Sequence, residues 1–195
     1  RLSLVGSEMC IRDSNKGDFI DLTKQYNISS DISPTSGQMP RLLGLAMASK
    51  HFRSGKFNSN KLSNNGNEIA WGTIGNASTS EGLFFETVNA IGVHQVPAVI
   101  SIWDDDYGIS VDNSYQTTKS SISEALKGFQ RTKTEKGFEI LTVNGWDYPS
   151  LISTYEHANN IARNEHVPVI IHVTELTQPV AVSYTHLTLP TILRV

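Results

Sequence analysis

Between Glu68 and Val173 the chain alternates short apolar runs with amphipathic stretches of helical period. Residues 68–75, 97–103, 138–143 and 167–173 read as strands, too short for helices and bounded by turn formers. Residues 78–95 carry Phe84, Val88 and Ile91 on one helical face. Ser78 with Glu81, and Ser121 with Glu124, each spell Ser-x-x-Glu, the capping box that marks a helix start. Ile122, Ala125, Leu126 and Phe129 follow the second box. Asp147 with Pro149 opens another helix, bearing Leu151, Tyr155, Ala158 and Ala162. An earlier helix over 39–53 repeats Met39, Leu42, Leu43, Ala46 and Met47 at i, i+3, i+4, i+7 and i+8. Strands separated by helices pair in parallel, because a parallel connection needs a crossover. The expected class is therefore α/β, a mostly parallel sheet with helices on both faces.

Composition narrows the function classes. Hydrophobic residues make up 38% and charged residues 18%, as in a globular domain. The 16 Lys and Arg against 19 Asp and Glu leave a formal charge of -3, which speaks against a nucleic-acid partner. The single cysteine excludes a disulfide scaffold. No uninterrupted apolar run reaches the roughly 18 residues of a membrane span.

The two ends read unlike the interior. Glu8-Met9-Cys10-Ile11-Arg12-Asp13-Ser14 back-translates as GAGATGTGTATAAGAGACAG. The reverse complement, read from its third base, encodes Val-Ser-Tyr-Thr-His-Leu, which is Val182 to Leu187. One inverted DNA repeat thus explains both ends, and it resembles the transposon end used in sequencing-library adapters. Residues 1–14 and 182–195 are accordingly expected to be adapter-derived, and 15–181 to be the native, incomplete domain. Such segments are set aside from fold reasoning. Within 15–181, residues 15–32 are polar and weakly patterned, and 54–67 form a surface excursion rich in Asn, Ser, Gly and Lys.

In sheets of this kind ligands bind beyond the carboxyl ends of the strands. The strand ending at Gly75 runs into Asn76-Ala77-Ser78 and a helix start, where free N–H groups and the helix dipole favour an anion. Gly75 and Ala77 are small enough for a phosphate to approach the backbone. The next strand ends in Asp104-Asp105-Asp106-Tyr107-Gly108. An amide and a carboxylate from two strand ends suit a hard cation such as Mg²⁺. A glycine-rich turn or a run of aspartates alone is more often an ordinary loop. Their pairing, Asn76 and Asp105 lying 29 positions apart around strand, helix and strand, reads as a diphosphate site with its counter-ion.

Gly72-Thr73-Ile74-Gly75-Asn76-Ala77-Ser78-Thr79-Ser80-Glu81-Gly82 through Asp104-Asp105-Asp106-Tyr107-Gly108-Ile109-Ser110-Val111 resembles the thiamine-diphosphate motif, Gly-Asp-Gly followed after a long spacer by Asn-Asn. Its Ser-Glu-Gly and Tyr-x-Ile-Ser resemble the alpha part of the thiamine-diphosphate-dependent 2-oxo acid dehydrogenases. Ser33-Pro34-Thr35-Ser36-Gly37-Gln38-Met39-Pro40 is similar to that family's cofactor-contacting loop. Asn144-Gly145-Trp146-Asp147 and Pro168 to Val173 match later landmarks, so the likeness covers 32–179, closest in detail to bacterial chains with fused alpha and beta parts. The resemblance implies a thiamine-diphosphate-binding fold. It places Asn76, Asp105 and the Tyr107 carbonyl on Mg²⁺, with Gly75, Ala77 and Ser78 bordering the diphosphate. Ser33 and Thr35 fall near the aminopyrimidine, and Gln38 at a structural position beneath them. Asn76 stands where the family has Asp, and Asp105 where it has Asn; one carboxylate and one amide remain.

The same resemblance implies an oxidoreductase that decarboxylates a 2-oxo acid substrate and passes the acyl group to lipoyl-lysine. Its partners would be a beta-type pyrimidine-binding part and a dihydrolipoyl acyltransferase core. A cytoplasmic location and an oligomer when complete go with it. The glutamate that activates the cofactor belongs to the beta part, so this piece alone is expected to be inactive, and no catalytic residue is assigned. His94, His157 and His166 read as surface residues and His172 as a satisfied sheet residue. The alternatives are another thiamine-diphosphate enzyme of transketolase type, and a non-catalytic nucleotide-binding domain with a flavodoxin-like sheet.

Overall fold

The computed structural model describes residues 34–57 and 63–176, and those from Thr35 on belong to one compact unit. Residues 1–14 and 182–195, and Ser33 among the candidate site residues, lie outside the described residues. Helix α1 (Gln38–Arg53) leads to β1 (Ala70–Gly75). A 3-10 turn (Ala77–Ser80) and α2 (Gly82–His94) connect it to β2 (Ala98–Trp103). A two-stranded hairpin follows, β3 (Tyr107–Gly108) and β4 (Val111–Asp112), then the single-turn α3 (Ile122–Ala125). The described residues end with β5 (Glu139–Asn144), α4 (Tyr148–Asn160) and β6 (Val169–Thr174).

The main sheet has the order β1-β2-β6-β5, and all its pairs are parallel. β2 and β6 are central, and each buries five of its six residues, as a strand covered on both faces must. Alternate residues go to opposite faces. Ala98, Ile100, Ile102 and Ile170 meet Met39, Leu42 and Ala46 of α1, Phe84, Val88 and Ile91 of α2, and Ile122 and Leu126 around α3. Val99, Val169, Ile171 and Val173 meet Ala158 of α4 and the Ile161–Ala162 turn after it. The apolar stripes read from the sequence are thus the buried faces of their helices. Among the described residues, no helix is long and apolar enough to cross a membrane.

The end of the surface excursion is pinned to α1. Ser49 Oγ donates to the carbonyls of Gly66 (3.1 Å) and Glu68 (2.6 Å). Gly66 has φ +72°, and a Cβ there would stand 2.3 Å from the Arg53 nitrogen, so only glycine fits.

The helix starts correct two sequence expectations. Ser78 and Glu81 form no capping box. Ser78 lies inside the 3-10 turn, Glu81 is extended (ψ 141°), and α2 begins only at Gly82 without a side-chain cap. The extended Glu81 breaks the continuous helix expected over 78–95. Ser121 does cap α3, accepting the Glu124 N–H at 3.4 Å, but Glu124 pairs with Lys127 at 2.6 Å, and that helix is one turn long. Asp147 caps α4 as expected, accepting the Ser150 N–H at 3.1 Å.

Candidate functional site

Parallel register sets Gly75 beside Trp103, so β1 and β2 end at the same level. Asn76 then donates its N–H to the Trp103 carbonyl at 3.0 Å, tying the two strand ends together. Its own carbonyl accepts the Thr79 N–H (3.1 Å) and hydroxyl (2.5 Å), which closes the 3-10 turn. Thr79 makes the first i→i−3 bond of that turn, so the N–H groups of Ala77 and Ser78 precede it. A helix start offers its first donors in this way. The free N–H groups expected to border a phosphate therefore sit on a short turn and not on α2, and the helix start expected at Ser78 is displaced to Gly82.

Asn76 is 3% exposed, yet its amide nitrogen has no hydrogen-bond partner. Of four such buried side-chain atoms among the described residues, three are Asn76 Nδ2, Asn113 Oδ1 and Thr117 Oγ1. The segment holding Asn113 and Thr117 is joined to the 3-10 turn by Ser80 Oγ, which donates to the Gln116 carbonyl at 3.1 Å. Buried polar groups without partners are rare, and Asn76 is one of them at the end of β1.

The other side of the site is the hairpin. A Cβ on Gly108 would lie 2.6 Å from the Ala77 Cβ and 2.4 Å from Gln116 Oε1, so two small residues let β3 close onto the turn. Tyr107 is exposed, and its carbonyl belongs to this hairpin strand. Asp105 is half-buried, and its Oδ1 accepts the Tyr107 N–H at 3.3 Å. Gly75 has no neighbour within 4 Å of a Cβ position, so its outer side is open. Its φ is not positive, and the chain turns at Asn76 and Ala77 instead.

The loop before α1 is drawn to the same place. Ser36, 1% exposed with φ +60°, donates its hydroxyl to the Ser78 carbonyl at 2.6 Å. This fixes Thr35, which is exposed, beside the turn. Gln38 donates weakly to the Thr73 carbonyl of β1 at 3.4 Å. Ser36 was not among the residues singled out from the sequence; its bond spans 42 positions, and no local pattern announces it.

Electrostatics point the same way. Burial, then the charges of Asp104, Asp112 and Asp105, hold the Asp106 carboxyl above the usual carboxylate range, with His172 opposing. Among the described residues, no three His, Cys, Asp or Glu are grouped to hold a metal. The set here is different: a carboxylate, an amide oxygen and a main-chain carbonyl, all hard oxygen donors suited to Mg²⁺. The amide of Asn76 is an uncharged oxygen donor of this kind, and the chain leaves its buried nitrogen unpartnered. The residues present fit a diphosphate with its cation.

The fold is that of an α/β protein in which two neighbouring parallel strands, β1 and β2, end at the same level. The family model described as dehydrogenase E1 component matches residues 3–175, and the chain belongs to that family. It is 27% identical over 148 residues to the 2-oxoisovalerate dehydrogenase subunit alpha of Bacillus subtilis, a match covering 76% of this chain and 39% of that one. The chain thus spans well under half the length of this relative. It also resembles the crystal structure of transketolase from Campylobacter jejuni, with a TM-score of 0.53 and 19% identity over 71% of this chain and 20% of that one. That likeness shows the fold.

Proposed function

We propose that this chain is the diphosphate- and Mg²⁺-binding part of a thiamine-diphosphate-dependent component that decarboxylates a 2-oxo acid and transfers the acyl group to lipoyl-lysine. The observation that carries it is the buried Asn76, whose amide nitrogen has no partner within the chain, at the end of β1 next to the strand that runs on into the Asp105–Tyr107 loop. Asn76, Asp105 and the Tyr107 carbonyl would hold the cation. The N–H groups of Ala77 and Ser78, with the open side of Gly75, would border the diphosphate. Thr35 and the neighbouring Ser33 would approach the aminopyrimidine, with Gln38 bracing their loop. When bound, thiamine diphosphate would supply the electron sink for decarboxylation, and that chemistry is the cofactor's own.

This chain's part is binding and orientation. Parallel register ends β1 at Gly75 beside Trp103 of β2, so Asn76 and the Asp104–Asp105 segment follow two adjoining strand ends, and the Ser36–Ser78 bond ties the loop before α1 to the turn. No general base is assigned among the described residues. A beta-type pyrimidine-binding part would supply the activating glutamate, and a dihydrolipoyl acyltransferase core would receive the acyl group. A 2-oxo acid is the proposed substrate class, and a cytoplasmic oligomer the proposed setting.

The test is Asp105→Ala in the full-length enzyme, with Mg²⁺-dependent binding of thiamine diphosphate followed by calorimetry. Loss of a ligating carboxylate should weaken binding by at least the roughly 10-fold typical of an outer-shell partner. Unchanged affinity for both ion and cofactor would sink the assignment.

A further inference from the structure

Asp104 and His172 are among the most buried polar residues of the chain, 4% and 2% exposed, and the binding reading above uses neither. They sit on the neighbouring central strands, Asp104 just past the end of β2 and His172 within β6. His172 Nε2 lies 2.8 Å from Asp104 Oδ2, and its Nδ1 lies 2.9 Å from Ser123 Oγ in α3. With the proton on Nε2, the ring donates to the carboxylate and accepts from the hydroxyl. The ring is thereby held from both sides.

Asp104 distributes that hold to the loop that follows. Its Oδ1 accepts the Asp106 N–H at 2.9 Å, and its Oδ2 also receives Asn113 Nδ2 at 3.5 Å. Its main chain is clamped to β6, donating to the Val173 carbonyl at 2.9 Å and accepting from Leu176 at 3.2 Å. Asp106 has φ +66°, a left-handed conformation that a non-glycine residue keeps only when its surroundings impose it. The residues so placed, Asp105 to Tyr107, are the ones that would meet the cation.

We propose that His172 is the positioning residue of the cation site: through Asp104 it fixes the loop so that the Asp105 carboxylate and the Tyr107 carbonyl address one ion. This rests on the binding role given to Asp105 and Tyr107. A buried carboxylate has to be fully hydrogen-bonded. One Asp104 oxygen serves the loop, and His172 occupies the other. Without the ring, Oδ2 loses its near partner, and the carboxylate is free to turn away from the Asp106 N–H. The loop then loses the contact that imposes its left-handed residue. Partners that orient metal ligands in this way typically affect metal affinity by about 10–100-fold.

The experiment uses the full-length enzyme and reads Mn²⁺ binding by electron paramagnetic resonance in the presence of thiamine diphosphate, beside thermal unfolding of the apo protein. His172→Phe keeps a ring of similar size without its donors, and His172→Gln restores one N–H. The expected result is Mn²⁺ affinity reduced about 10–100-fold in H172F and largely recovered in H172Q. A purely structural residue would lower the unfolding temperature and leave the Mn²⁺ affinity of the folded protein unchanged; that result, or failure of Gln to restore binding, overturns the proposal. Should H172F not fold, Ser123→Ala removes the ring's second partner with little change of volume. Weaker Mn²⁺ binding by S123A supports the role, and wild-type affinity overturns it. Asp105→Ala, measured alongside, separates the two readings: if it too binds normally, the site itself is misassigned.

Discussion

On one face of the sheet, Ala98, Ile100 and Ile102 of β2 are sealed under α1, α2 and α3. On the other face, Val99, Ser101 and Trp103 of the same strand meet α4 and the turn that follows it. There Trp103 remains 49% exposed, and a cavity of about 430 Å³ opens between Trp103, Tyr148, Leu151, Ile152, Tyr155 and Leu176. The sealed face is held by apolar packing. The open face adds polar and aromatic links: Tyr155 Oη lies 2.5 Å from Ser101 Oγ, the Trp103 indole donates to Ser101 at 3.0 Å, and Trp71 stacks on Tyr155 at 5.6 Å. One strand can serve two such different layers because its residues alternate in direction. Both layers bury apolar side chains completely, Val99, Val169 and Ile171 among them on the second face; the difference is that this second face also leaves an open apolar cavity beside Trp103.

The sharpest way to break that comparison is a matched pair of truncations. Ile91 on α2 is fully buried, and Ile152 on α4 is 45% exposed beside the cavity. Ile91→Ala should cost about 2–5 kcal/mol, the range for emptying a packed site. Ile152→Ala should stay within about 0.5 kcal/mol, as surface changes do. Urea unfolding of the two variants checks both values. Equal losses would mean the open face carries as much of the fold as the sealed one.

A smaller effect sharpens the open face itself. Tyr155→Phe removes only the hydroxyl that meets Ser101, and should cost about 1 kcal/mol, the usual net worth of one hydrogen bond. Trp103 should report it, because its indole shares the Ser101 oxygen. A shift in tryptophan fluorescence together with the lower unfolding midpoint is expected. An unchanged spectrum would show that the link does not order Trp103.

The sealed layer was the more legible one. Met39, Leu42, Ala46, Phe84, Val88 and Ile91 repeat at helical spacing, and all are buried. The four strands fall within two residues of their expected ends, because apolar runs between turn formers leave little choice. The two strand ends were legible, Asn76 after β1 and the three aspartates after β2, but the contacts that anchor them were not. Three consecutive aspartates look alike in sequence, and only the geometry past β2 turns Asp104 inward to His172, 68 positions away, while Asp105 stays at the surface of the site. The false capping box at Ser78 has the same origin. Local pattern favoured a helix start, but the Ser78 carbonyl is engaged by Ser36 and by the Glu81 N–H, and Glu81 turns extended.

The smallest predicted effect concerns how each layer starts its helices. α1 and α2, on the sealed face, begin at Gly37 and Glu81 with no side-chain cap; burial of their apolar stripes is enough. α4 has less to bury, and Asp147 caps it twice, accepting the Ser150 N–H at 3.1 Å and the Ser150 hydroxyl at 2.6 Å. The Ser150 hydroxyl, then its N–H, hold the Asp147 carboxyl below the ordinary carboxylate range, against a small opposing effect of burial. A depressed carboxylate stabilises the fold above its unfolded-state value, about 3.9 for aspartate, and the gain disappears as pH falls through the lower, folded value. Asp147→Asn keeps a capping oxygen and loses the charge. The variant should therefore unfold at a slightly lower temperature than the native chain at pH 7. The gap should narrow below about pH 4 and close in stronger acid, once both chains are neutral at this position. A gap that persists unchanged at low pH would mean the charge of Asp147 does not contribute, and that α4, like its counterparts on the sealed face, is held by packing alone.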